Sequence, residues 1–120
     1  MSPRKIGVVA ALVRGRSVED ALTILDHTPR SAALPLRKAI LSARANAEHN
    51  HNYKPGSLFL SEISISSGPR FKRYRAAARG RALKYQRKTS HISILVDGER
   101  RVAKKTAAKA EPKTDNEGDK

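Results

Sequence analysis

Between Gly68 and His91 the chain carries nine basic residues and no acid: Arg70, Lys72, Arg73, Arg75, Arg79, Arg81, Lys84, Arg87 and Lys88. Phe71, Tyr74 and Tyr85 are interleaved with them. Together these residue types suit one kind of chemistry. Cationic side chains neutralise phosphates, and aromatic or guanidinium planes stack on bases. Most of the nine are arginines, whose planar multidonor fork serves both purposes. A solvated charge run is the bland reading, but a solvated loop gains nothing from the aromatics or from the preference for arginine. Like charges repel, and too few apolar groups are present to offset the ordering entropy. The segment therefore reads as an arm that becomes fully ordered only against a dense polyanion, and nucleic acid fits best.

No other constellation points to chemistry. There is no phosphate-cradling glycine loop before a helix, no nucleophile elbow, and no His–carboxylate pair at a credible spacing. Glu19 and Asp20 read as partners of a helix dipole rather than a catalytic pair. His49 and His51 lie two apart, which on a helix points them to different sides, so no metal site is expected. His27 reads as a helix-end residue, and Ser90 and His91 as groups satisfied by local hydrogen bonds. A small hydrolase built on His49, His91 and a carboxylate is the weakest functional class. The chain is read as a non-enzyme with no cofactor and no metal.

The whole-chain numbers agree. The net charge is +14 and the pI about 10.8 over 120 residues, enough for one domain with a modest core and consistent with a polyanionic partner. There is no cysteine, hence no disulfide framework or thiolate site. No apolar run is long enough to span a membrane. No signal peptide is recognised at Met-Ser-Pro-Arg-Lys. A reducing cytoplasm is the expected compartment.

The elements that must carry the arm follow from periodicity. Ser2-Pro3 opens a first helix whose apolar stripe is Ile6, Val9, Ala10 and Val13, stopped by Gly15. Ser17 caps a second, with Val18, Ala21, Leu22 and Leu25 on its apolar face. Thr28-Pro29 repeats the cap-then-proline signal for a third and longest helix, which ends near Asn46 or His49. Its expected buried face is Ala33, Leu36, Ile40, Ala43 and Ala47. Pro35 is awkward there: either the helix kinks, or a turn covers Pro29 to Leu34 and the helix begins at Pro35. Lys54-Pro55-Gly56 reads as a turn. Leu58–Ser66 is a strand with a bulge between Leu60 and Ile63. Thr89–Val96 is its antiparallel partner. Everything between them is one long hairpin, with Gly80 offering the freedom its turn needs. After Gly98 the apolar pattern ends, and residues 101–120 read as a disordered tail whose lysines add diffuse phosphate attraction. A marginal helix over Val102 to Ala110 is the alternative there. A sequence-specific DNA reader is poorly supported, since the charge sits on a hairpin rather than a recognition helix.

These segments, in this order and spacing, resemble the bacterial large-ribosomal-subunit protein numbered twenty-two. The resemblance rests on Ser2–Lys5, Leu12–Gly15, Ser17–Leu22, Ala45–Asn50, Gly68-Pro69, Ala78–Ala82 and Lys88–Ile92, and covers residues 2 to about 97. It implies an α+β fold of three helices packed on a small antiparallel sheet with a long extended β-hairpin. It implies one domain over 1–100, with a globular part at 1–67 and 89–100 and an RNA-binding hairpin at 68–88, its distal part spanning Lys72 to Arg87. In this family the globular part sits near the exit of the peptide tunnel and the hairpin tip lines the tunnel wall. The implied partners are large-subunit ribosomal RNA, neighbouring ribosomal proteins near the tunnel exit and the nascent peptide at the tip, without membrane or homo-oligomer. The implied location is the cytoplasmic ribosome. The runner-up is a free-standing RNA-binding or RNA-chaperone module on the same fold.

The candidate RNA-binding set is Arg4, Lys5, Arg14, Arg16, Arg70, Lys72, Arg73, Tyr74, Arg75, Arg79, Gly80, Arg81, Lys84, Arg87, Lys88, Thr89, Ser90 and His91. For Arg4, Lys5, Arg14 and Arg16 a solvated polar face and RNA contact both stand open. Three departures from the family pattern are visible. About ten residues including a sheet strand usually precede Ser-Pro-Arg-Lys, so either the start is assigned differently or the sheet lacks that edge strand. Ala76-Ala77 stands where Pro-Arg is common at the tip, which takes tunnel shape and macrolide effects out of the carry-over. Gly7 replaces a common basic residue.

Overall fold

The computed structural model describes residues 1–101. The expected tail and the marginal helix over Val102 to Ala110 lie outside the described residues. The elements run α1 (Pro3–Val13), α2 (Val18–His27), α3 (Ala33–Asn50), a 3-10 turn (Pro55–Ser57), β1 (Phe59–Ala76), a 3-10 tip (Ala78–Gly80) and β2 (Ala82–Asp97). The fold is α+β: three helices pack on the base of a two-stranded antiparallel sheet.

The helical stripes land as their spacing predicts. Ile6, Val9, Ala10 and Val13 are buried on α1, and Val18, Ala21 and Leu25 on α2. Leu36, Ile40 and Ala47 of α3 join Leu58, Leu60 and Ile63 in one core. Fully burying a side chain of the Leu or Val type stabilises by roughly 1.5–3 kcal/mol, so this cluster holds the fold. Ala43 is only half-buried, where α3 passes Tyr53, Ile94 and Val96. Small residues on that face of α3 let β2 come close.

The helix ends correct two expectations. Ser2 stands at the N-cap of α1 in extended conformation, but its side chain makes no capping bond. Thr28 does not start the third helix. It closes the second: its N–H donates to the Leu25 carbonyl, and its hydroxyl donates to the Ile24 carbonyl at 2.6 Å. A turn follows, and α3 begins at Ala33. Pro35 then falls in the first turn, where a helix N–H has no intrahelical acceptor anyway, so no bond is lost and no kink is required.

Ser17 caps as expected, accepting from the Asp20 N–H at 3.1 Å while its hydroxyl donates to the Asp20 carboxylate at 2.7 Å. Ser17→Ala is expected to destabilise the domain by about 1 kcal/mol. For a domain of this size that lowers Tm by roughly 4–8 °C, which thermal circular dichroism reads directly.

The turn between α1 and α2 also holds the base of the hairpin. Gly15 adopts φ +70°, a left-handed conformation that glycine takes without steric cost. Its N–H donates to the Leu60 carbonyl at 3.1 Å, the Leu60 N–H donates back to Arg16 at 2.9 Å, and Val18 N–H donates to Leu58 at 3.0 Å. The edge of β1 is thereby covered at its base.

The strands are far longer than their apolar stretches. β1 and β2 continue through the cationic segment, pairing from Phe59↔Asp97 to Ala76↔Ala82. The cationic segment forms the expected long hairpin, and the register shows how its like charges are kept apart. From Arg70 to Ala76 only Arg70↔Lys88 sets two cations opposite each other. Every other cation there faces an uncharged partner: Phe71↔Arg87, Lys72↔Gln86, Arg73↔Tyr85, Tyr74↔Lys84 and Arg75↔Leu83. Directly opposed like charges are the costly ones, and the register avoids all but one of them. The result is a long two-stranded ribbon, 18 residues in β1 and 16 in β2.

Candidate nucleic-acid interface

Two bulges set which residues share a face of the hairpin. The expected one lies at Ser61, between the pairs Leu60↔Val96 and Glu62↔Leu95. It returns Ile63 and Ile65 to the side of Leu60, so that they meet Ile94 and Ile92 over the core. The second lies at Gly68-Pro69, between Ser67↔Ser90 and Arg70↔Lys88. There the strands approach closely. A Cβ on Gly68 would stand 2.7 Å from Thr89 Oγ1, and that hydroxyl donates to the Pro69 carbonyl at 2.6 Å. Only glycine fits without moving Thr89.

Beyond this bulge every side chain from Arg70 to Ala76 and from Arg81 to Lys88 is exposed. Tyr74 is 64% exposed, and Phe71 and Tyr85 are each 48% exposed. The two strands carry acids only at Glu62 and Asp97, near the base. Among the described residues, the ion pairs are Arg37–Asp26, Arg44–Glu48 and Lys54–Glu99, none on the hairpin. Among the described residues the cations of the ribbon have no carboxylate partner, and Arg73 donates one N–H to the Lys72 carbonyl at 3.1 Å. Arg75 stands 5.6 Å from the Tyr85 ring centroid, a cation–π distance that pre-orients both planes.

The tip is tighter than the sequence suggests. Gly80 takes φ +69° as its turn role requires, and Arg79 beside it takes φ 58°, ψ 39°. A non-glycine residue in this region carries roughly 1–3 kcal/mol of strain. The turn is closed by the Ala77 N–H donating to the Arg81 carbonyl at 2.8 Å. Arg79 is thereby held at the apex with its guanidinium exposed.

The remaining candidates sit elsewhere. Arg4 and Lys5 are exposed on α1, along a shallow groove with Val8, Pro29 and Arg30. Arg30 adds a cation that no local signal singles out, since the fold alone brings it to α1. Arg14 is turned back on the protein: its guanidinium donates to the Ile63 carbonyl at 3.0 Å, staking the base of the hairpin. Arg16 donates to Leu12 at 2.9 Å. Ser90 does not make the local bond expected of it. Its hydroxyl donates to the Met1 carbonyl, tying β2 to the start of α1. His91 is exposed opposite Ser66. Phe71, interleaved with the cations but outside the candidate set, stands beside Arg73 and opposite Arg87 in the register.

No helix among the described residues is long and apolar enough to cross a membrane. A family model described as ribosomal protein L22p/L17e matches residues 1–97, ending with the last residue of β2. The chain belongs to the L22p/L17e family. That family is a structural component of the ribosome and not an enzyme. Similar proteins of the family include the large ribosomal subunit protein uL22 of Clostridium tetani, 47% identical over 96 residues that cover 80% of this chain and 86% of the relative. The uL22 of Herpetosiphon aurantiacus is 44% identical over 97 residues, 81% of this chain and 86% of the relative. That of Clostridioides difficile is 45% identical over 96 residues, with 80% and 86% covered. The L22p/L17e match spans both the helical body and the whole hairpin, so the family assignment does not rest on either part alone.

Proposed function

We propose that this chain is a structural constituent of the large ribosomal subunit that binds large-subunit ribosomal RNA mainly through residues 68–91. The globular part, residues 1–67 and 89–100, anchors at the subunit surface beside neighbouring ribosomal proteins. The hairpin runs inward along the nascent-peptide exit tunnel, with Arg79 and Gly80 nearest the peptide. The chain does no chemistry; it supports assembly by neutralising RNA backbones that converge on the ribbon. The observation that carries this reading is the exposed, acid-free ribbon with nine cations, none of which has a carboxylate partner among the described residues. Such a ribbon gains stability only by meeting phosphates. The body supplies Arg4, Lys5 and Arg30 as a second, weaker phosphate-facing group, while Arg14 works chiefly on the hairpin base.

The test is sedimentation of a source-cell lysate with a salt wash and quantitation of the chain across the gradient. Near one copy per washed large subunit supports the proposal. Release into light fractions, or clearly substoichiometric presence, would make the chain a free-standing RNA-binding module on the same fold.

A further inference from the structure

Seven of the hairpin's nine cations lie in the paired register, three on one face and four on the other, and the two faces differ in type. In an antiparallel ladder directly paired residues share a face, and alternate positions share it along each strand. The register therefore puts Phe71, Arg73, Arg75, Leu83, Tyr85 and Arg87 on one face. It puts Arg70, Lys72, Tyr74, Lys84, Gln86 and Lys88 on the other. On the first face every cation is an arginine, set among two aromatic rings and a leucine. The second face holds all three lysines of the ribbon, with one arginine, Arg70, and a single ring. The second face continues the core side of the sheet, through Ser67↔Ser90 to Ile65↔Ile92. The first continues its outer side.

The Gly68-Pro69 bulge makes this sorting. Two residues of β1 there stand against Thr89 alone. Without the extra residue, β1 would shift by one relative to β2, and Phe71, Arg73 and Arg75 would change sides. They would then share a face with Lys84, Gln86 and Lys88 rather than with Leu83, Tyr85 and Arg87. The close Gly68–Thr89 approach and the Thr89–Pro69 hydrogen bond hold the bulge in place.

The two faces offer different recognition chemistry. Guanidinium and aromatic planes stack on bases, and the Arg75–Tyr85 pair is already arranged face to cation. Bases can be stacked on only where they are not already enclosed in a duplex. Ammonium groups are compact, strongly hydrated charges that neutralise phosphate without demanding a plane. We infer that the ribbon is a two-sided adaptor: its arginine–aromatic face takes unpaired RNA by stacking, and its lysine face takes the backbone of a duplex by charge. The inference rests on the RNA-binding reading above and adds which class of RNA each face takes.

The experiment uses the full chain and two labelled probes, a twelve-nucleotide oligouridine and a twelve-base-pair RNA duplex, each titrated across a salt series. One variant is Phe71→Leu with Tyr85→Leu, which keeps apolar bulk and removes the rings. The other is Lys72→Gln, Lys84→Gln and Lys88→Gln. All five positions are exposed and away from the core, so thermal melting of the helical body should match that of the parent. The ring variant should bind oligouridine about tenfold or more weakly, with an unchanged salt slope and unchanged duplex binding. The lysine variant should lose duplex affinity, and its duplex salt slope should fall by about 2.7, at about 0.9 per neutralised phosphate. If both variants weaken both probes in the same proportion, the faces are not specialised and the inference fails, while RNA binding stands. If the parent binds neither probe at low salt, the RNA-binding reading itself fails.

Discussion

Replacing Arg73, Arg75, Arg79 and Arg81 together with Ala is expected to remove the chain from salt-washed large subunits while leaving its helical body folded. All four are exposed, and among the described residues none is in an ion pair. Their cost is therefore external. Losing four phosphate contacts would lower the salt slope of binding to unpaired RNA by about 2.8, at about 0.7 per contact. The body keeps its core and its Ser17 cap, so its melting temperature should move by no more than a few degrees. The companion variant with Lys at all four positions keeps the charge and loses the forks and planes. It should be retained at low salt and washed off earlier than the parent. Quantitation of each variant in purified large subunits reads the result. Normal incorporation of the Ala variant would contradict the proposed role of the hairpin.

The second large effect lies at the base. Leu60 is fully buried and is bonded by its backbone to both Gly15 and Arg16. It is where the helical body grips β1. Leu60→Ala removes buried methyl groups and leaves a cavity, which typically costs about 2–5 kcal/mol. Small domains hold only about 5–15 kcal/mol in total, so Tm should fall by on the order of 10–30 °C. Leu83→Ala is the control. Leu83 is 58% exposed on the distal ribbon, and surface changes of this kind usually stay within about 0.5 kcal/mol. Thermal melts of the two variants side by side separate the parts of the molecule: base residues hold the fold, and distal residues leave it unchanged.

Much of this division is visible in the sequence, and the misses have physical causes. Ile6, Val9, Ala10 and Val13 are legible because a stripe at helical spacing has few uses other than burial. The bulge at Ser61 is legible because Leu60 and Ile63 both need the core, and strand parity forbids that without an extra residue. Thr28 is ambiguous because a hydroxyl next to proline suits the end of one helix as well as the start of the next. Tertiary position decided for the end. The long hairpin is legible from the apolar strands that flank it, but its register is not, because composition reports charge while pairing depends on which charges stand opposite. Only the register shows that most cations of the ribbon face neutral partners. The same holds for Phe71. It is one aromatic among many cations until the Gly68 bulge sorts it onto a face. Arg14 carries a role the sequence did not show: its guanidinium donates to the Ile63 carbonyl 49 residues away.

Placement of the tip is the part of the account with the greatest reach, and cross-linking tests it most directly. A photoreactive residue would be put in place of Ala78, which is exposed at the apex, and in a second variant in place of Lys54 at the base. Each would be irradiated in purified large subunits carrying a stalled nascent peptide. The account predicts that position 78 links to large-subunit RNA and to the nascent peptide, and that position 54 never links to the peptide. Peptide links from position 54, or no link to RNA or peptide from position 78, would contradict it.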